Sequence, residues 1–141
     1  MTSSNINPVN PAVGANSFAH AGIQMCEGIR AYNTMPRPSK HVFICGQTRP
    51  PGHPRGSCAE KGCREVLDEF LFQFQQRQCF DKVAITTTGC LGPCSTGTNV
   101  LVYPEGILYG PVTKDDVSAI FDEHLLGDQP VERLKVAADL W

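Results

Sequence analysis

The chain has 141 residues, enough for one domain with a modest core, and its 41% hydrophobic and 18% charged residues are ordinary for a globular protein. A net charge of -2 gives no basis for nucleic-acid or membrane-surface binding, and the apolar stretches are far too short to cross a bilayer. Seven cysteines is an odd count, and MTSSNINPVNPAVGANS lacks the basic and apolar regions of an export signal, so a disulfide framework is not expected and the chain reads as cytoplasmic.

Residues 1–36 are rich in Asn, Pro, Ser, Gly and Ala without sustained periodicity, and read as a disordered leader in which AGIQMCEGIRAY is a short helical fragment. Met35 directly precedes the first compact patterning and is an alternative start to Met1. A single domain is expected over 37–141. HVFIC (41–45) is a short apolar strand ending at a cysteine. Within 60–77, Val66, Leu67, Phe70, Leu71 and Phe74 recur at helical spacing. KVAITTT (82–88) is a second strand. NVLVY (99–103) and ILYG (107–110) flank the turn Pro104-Glu105-Gly106 as a hairpin. Thr113 with Asp116 reads as a capping box opening a helix whose apolar face is Val117, Ile120, Phe121, Leu125 and Leu126, with Gly127 ending it. A polar, partly helical tail runs to Trp141, which is placed at core-like spacing. The order strand, helix, strand, hairpin, helix is the minimal thioredoxin-like α/β layout, a sheet with helices packed against it.

Four of the cysteines fall in two loops too rich in Gly and Pro to be regular structure. Cys45 and Cys58 bracket CGQTRPPGHPRGSC, and Cys90 and Cys94 lie in TTTGCLGPCSTG. Each loop follows a strand, which puts both at one tip of the domain near solvent. Four thiolates on loops whose glycines let backbone N–H groups approach sulfur suit an iron–sulfur centre. Arg49, Arg55, Lys61 and Arg64, in or just after the first loop, supply positive charge that favours the more negative, reduced state of such a centre. The alternative reading of these four cysteines is a structural zinc site, although neither pair forms the C-x2-C knuckle usual for zinc. No C-x-x-C follows the first strand, and no C-x-H, phosphate-loop or dinucleotide motif occurs. His53 reads as an exposed loop histidine, and His41 as structural or exposed. Cys26 and Cys79 show no partner at ligand spacing.

The spacings C-x12-C (45 to 58) and C-x3-C (90 to 94), together with ITTTGCLGPCSTGTNVLVYPEGILYG and HLLG at 124–127, resemble the thioredoxin-like [2Fe–2S] ferredoxins, especially the Shethna-type ferredoxin of nitrogen-fixing bacteria. The likeness covers about residues 35–141 and omits the leader. It implies that Cys45, Cys58, Cys90 and Cys94 ligate a [2Fe–2S] cluster, that the protein is a homodimer, and that it shuttles single electrons to a redox enzyme without catalysing bond chemistry. A redox-sensing module bound to a partner enzyme is the alternative within the same cofactor class. Cys58-x4-Cys63 also resembles the ligand spacing of the small [2Fe–2S] subunit of respiratory NADH dehydrogenase. The interval between the pairs is shorter here, and Cys63 is expected to be a buried core thiol on the apolar face of the first helix. The strand face carrying Val100, Val102 and Tyr109 is the expected self-association surface.

Overall fold

A computed structural model describes residues 37–141. The expected leader, its helical fragment, Cys26 and Met35 lie outside the described residues. The apolar alternation of KHVFIC makes strand β1, Lys40–Cys45, the centre of the sheet. Strand β2, Val83–Thr88, pairs with it in parallel, Cys45 lying opposite Thr88. Strand β3, Val100–Tyr103, pairs antiparallel on the other side of β1, and strand β4, Ile107–Tyr109, completes the hairpin, for an order β2-β1-β3-β4.

Helix α1, Cys63–Arg77, is the crossover that a parallel β1–β2 pair requires. The sequence pattern starts this helix at 60, but Gly62 adopts φ +82° and separates it from a 3₁₀ turn at Cys58–Lys61. The second helical segment, α2, runs continuously through 3₁₀ geometry at Lys114–Asp116, α geometry at Val117–Ala119 and π geometry at Ile120–Leu125. Thr113 and Asp116 form the expected capping box, with Thr113 N–H and Oγ1–H donating to Asp116 Oδ2 at 3.0 and 2.8 Å. At its far end Gly127 is required sterically, because an added Cβ would lie 2.7 Å from Glu123 O.

The core lies on the helix side of the sheet. Val42, Ile44, Val100, Val102 and Tyr109 point from the strands toward Val66, Phe70, Val117, Ile120 and Phe121. The expected dimer face, Val100, Val102 and Tyr109, is therefore incorrect: all three are fully buried under the helices. The reason is the two-residue period of the strand, which sends alternate positions to opposite faces. His41, Phe43 and Tyr103 occupy the other face, where His41 stacks on Phe43 at 4.2 Å and Tyr103 meets Phe43 edge-on at 6.0 Å. Leu71, expected inside, is 41% exposed.

Two polar systems fasten the helices. Buried Arg77 pairs with Asp122, donates Nη2–H to Gln73 Oε1 at 2.8 Å, and lies 5.1 Å over the Phe121 ring. Buried Tyr109 accepts Val131 N–H at 3.0 Å and shares a hydrogen bond with His124 Nδ1 at 2.7 Å. His124 Nε2 faces Glu105 Oε2 at 3.3 Å without hydrogen-bond alignment. Glu105 in turn pairs with Lys40, and Lys40 with Asp128 at 2.8 Å. Burial lowers the affinity of His124 for a second proton, against the opposing pull of Glu105.

The tail is less polar in its role than in its composition. Val131 and Leu134 join the core, and Gly110 N–H and Val136 N–H bond Leu134 O and Leu108 O at 2.9 Å each. These contacts cover the β4 edge and carry the chain back to the cysteine end of the sheet.

Candidate metal centre

Parallel pairing of β1 and β2 brings their C-terminal ends to one edge, and the four cysteines gather there. Cys45 is the last residue of β1, its N–H held by Asn99 O at 3.0 Å. Cys58 begins the 3₁₀ turn that leads to Gly62. Both are buried. Cys90 follows the end of β2 and is exposed, while Cys94 opens a short 3₁₀ turn and is buried. The thiols gather at two places: Cys58 packs with Cys45 in a buried cluster, and Cys90 Sγ lies 3.4 Å from Cys94 Sγ.

The cations of the first loop clasp the second. Arg49 Nη1 donates to Gly56 O at 2.7 Å and to Cys94 Sγ at 3.3 Å. Arg55 Nη2 donates to Gly92 O at 2.8 Å, and Lys61 Nζ donates to Cys94 O and to Ser95 O. Arg64 takes no part; it is solvent-exposed and pairs with Asp68 along α1. Three of the four expected cations thus serve the site, each by bonding the opposite loop. His53 is exposed and accepts Arg55 N–H at 3.2 Å within its own turn.

The two pairs sit in opposite electrostatic settings. Burial, then the hydrogen bond from Cys45, pushes the Cys58 thiol up to about 12. The Arg49 guanidinium, with Gly92 N–H at 3.4 Å, holds the Cys90 thiol down to about 7.

Several contributors carry no metal-ligand signature in sequence. Gln47 ties the loops together, its carbonyl accepting Ala59 N–H and its Oε1 accepting Cys90 N–H, both at 3.2 Å. Asn99 accepts Cys45 N–H on its carbonyl and donates its side-chain Nδ2 to Pro93 O at 2.8 Å. Gly97 is a point of close approach, where an added Cβ would lie 2.8 Å from Cys58 Sγ. Only the cysteine spacing and the Gly-rich setting were visible signals; these supports lie far from their partners in sequence.

Cys63 is displaced from its expected place. It is buried, but beside Cys45 and Cys58 with Leu91 against them, rather than in the main core. As the first residue of α1 it sits level with the C-terminal end of β1, above the apolar stripe that begins at Val66. Cys79 belongs to the main core.

The donor set fits a binuclear iron–sulfur group. Among the described residues no three His, Cys, Asp or Glu side chains converge as they would around one ion; thiols from two loops, with Cys63 beside the buried pair, supply the two thiolates that each iron of a binuclear group would take. The 3.4 Å separation of Cys90 and Cys94 is close to the about 3.8 Å edge of a tetrahedron with metal–sulfur bonds of about 2.3 Å. Donors aimed at sulfur from Arg49 and Gly92 suit thiolates.

No protein-family model matches the chain. It is 50% identical over 99 residues to "Ferredoxin, 2Fe-2S" of Aquifex aeolicus, covering 70% of this chain and 89% of that protein. It is 38% identical over 102 residues to "Ferredoxin, 2Fe-2S" of Clostridium pasteurianum, covering 72% of this chain and all of that one. The crystal structure of the thioredoxin-like [2Fe–2S] ferredoxin from Aquifex aeolicus superposes with a TM-score of 0.68 at 49% identity, over 72% of this chain and 99% of that one. The chain belongs to the thioredoxin-like [2Fe–2S] ferredoxin family. Its α/β layout is thus that of the family. For a ferredoxin the location of the thiols matters as much as their number, since Cys90 is the one exposed thiol of the four.

Proposed function

We propose that Cys45, Cys58, Cys90 and Cys94 hold a single [2Fe–2S] cluster, Cys45 with Cys58 at the buried end and Cys90 with Cys94 at the exposed end. The protein is a [2Fe–2S] electron carrier. When bound, the cluster supplies a one-electron couple. The chain's own residues fix the two thiol pairs, limit water at the inner one, and place positive charge from Arg49 beside the outer one. The observation that carries the ligand assignment is the cross-loop clasp of Arg49, Arg55 and Lys61, which holds two thiol pairs from distant segments in one site. Purification without oxygen should yield a red-brown protein with equal amounts of iron and acid-labile sulfide and a paramagnetic signal on one-electron reduction. A colourless protein carrying zinc after anaerobic reconstitution would overturn the assignment.

On this reading the protein passes electrons without catalysing bond chemistry, and its partner is a redox enzyme approaching the Cys90–Cys94 loop. Among the described residues no helix is long and apolar enough to cross a membrane, and we place the carrier in the cytoplasm. The homodimer implied by the sequence resemblance needs a face other than Val100, Val102 and Tyr109. The open sheet face of His41, Phe43 and Tyr103, beside a groove lined by Pro38 and Pro104, offers aromatic surface for a second copy. Sedimentation of the holoprotein should give twice the chain mass, and Tyr103→Glu should return it to the monomer mass. A monomeric wild type at micromolar concentration overturns the dimer.

A further inference from the structure

Trp141 is the only tryptophan of the sequence, and it does not occupy the core position its spacing suggests. It is half exposed, and its six-membered ring packs on Gly92, between Cys90 and Cys94: a Cβ built on Gly92 would lie 3.6 Å from Cζ3 and 3.9 Å from Cε3. A turn sets the indole there. Leu140 N–H and Trp141 N–H both donate to Ala137 O, at 2.9 and 3.3 Å, just beyond the point where Val136 is anchored to β4. Gly92 itself has φ +118°, gives its carbonyl to Arg55 and points its N–H at Cys90 Sγ. The middle of the loop is therefore both held by a cation and packed against an aromatic plate.

An indole covers a large apolar area with few rotatable bonds, so it excludes water at small entropic cost. Water beside an iron–sulfur group has two effects. It stabilises the more negative reduced form, which raises the potential, and it gives protons and competing ligands access to the thiolates. The main core does not include Trp141, so these effects can be separated from folding.

We propose that Trp141 is a positioning residue for the Cys90–Cys94 loop, its indole packing on Gly92 between the two thiols and keeping water from that backbone, lowering the reduction potential and slowing loss of the cluster. The proposal rests on the assignment of Cys90 and Cys94 as ligands. Full-length holoprotein is compared with Trp141→Phe and Trp141→Ala. Three quantities are read: tryptophan emission with and without cluster in the wild type, the rate of bleaching by an iron chelator, and the midpoint potential. Emission of the cluster-loaded wild type should be strongly quenched by transfer to the adjacent cluster, and should recover in the apoprotein. Trp141→Ala should bleach several-fold faster at a raised potential, while Trp141→Phe, which keeps a ring, stays close to wild type. Equal emission with and without cluster overturns the proposal, as does a Trp141→Ala protein with wild-type potential and bleaching. Cys90→Ala is measured in parallel: if it keeps its cluster the ligand assignment fails, whereas cluster loss there beside an unaltered Trp141→Ala defeats this proposal alone.

Discussion

The two thiol pairs use the same chemistry in contrasting surroundings. Cys45 and Cys58 are set by backbone: one closes a central strand whose register is fixed by neighbours on both sides, and the other opens a turn against it. Cys90 and Cys94 are set by side chains, through Arg49, Arg55 and Lys61 reaching across from the first loop. Burial drives the Cys58 thiol to about 12, and a cation draws the exposed Cys90 thiol down to about 7. The contrast suits an electron carrier. One end is anchored and dry, and the other is exposed to a partner and held by charge-assisted bonds.

The sharpest way to break this comparison is to delete one thiol at a time. Cys90→Ala and Cys94→Ala should abolish the visible cluster spectrum, because their loop holds no spare thiol. Cys58→Ala should retain part of it, since Cys63 lies beside Cys45 and Cys58. Cys63→Ala alone should leave the spectrum unchanged. Equal loss in Cys58→Ala and Cys90→Ala would remove the distinction between the ends.

A smaller effect is expected at Gly97, whose φ of -63° tolerates alanine but whose added Cβ would lie 2.8 Å from Cys58 Sγ. Gly97→Ala should destabilise the holoprotein by about 1–3 kcal/mol as the buried end is forced apart. Denaturant melts of holo and apo forms should place most of that loss in the holo form. Smaller again is Arg49→Ala, which removes the cation at the exposed end: the midpoint potential should fall, because less positive charge faces the reduced centre. Redox titration at low and high salt checks it, and an unchanged potential would show that the clasp is only mechanical.

The least effect on the cluster is expected from His124, at the far side of the fold. An unfolded imidazole titrates near about 6.5 and burial lowers the folded value, so its contribution to stability is fully present above about pH 6.5 and is lost as pH falls toward the folded value. His124→Gln should flatten that acid loss in urea melts while leaving the cluster spectrum intact. A steeper acid loss in the variant would reverse the assigned sign.

Much of the scaffold was legible in sequence. HVFIC, VAITTT and VLVY declare strands through branched apolar residues, and the Thr113–Asp116 box declares a helix start, because these preferences act within a few residues. The four clustered cysteines, the Gly-rich loops around them and the likeness to a known family were equally local. What could not be read was which face a residue would meet. Val100 and Val102 belong to the interior because β3 pairs with β1 in one register, and a shift by one residue would have exposed them. Cys63 joined the thiols because Gly62 restarts the helix at the sheet's edge, and Trp141 reached Gly92 because the tail returns along β4. Sequence by itself determined the elements, the spacing of the thiols and the sign of the charge near them, all properties of neighbours along the chain. Only the tertiary structure decided which thiols are buried, which cations clasp the opposite loop and what packs on Gly92 between Cys90 and Cys94, because those depend on segments that meet only when the sheet closes.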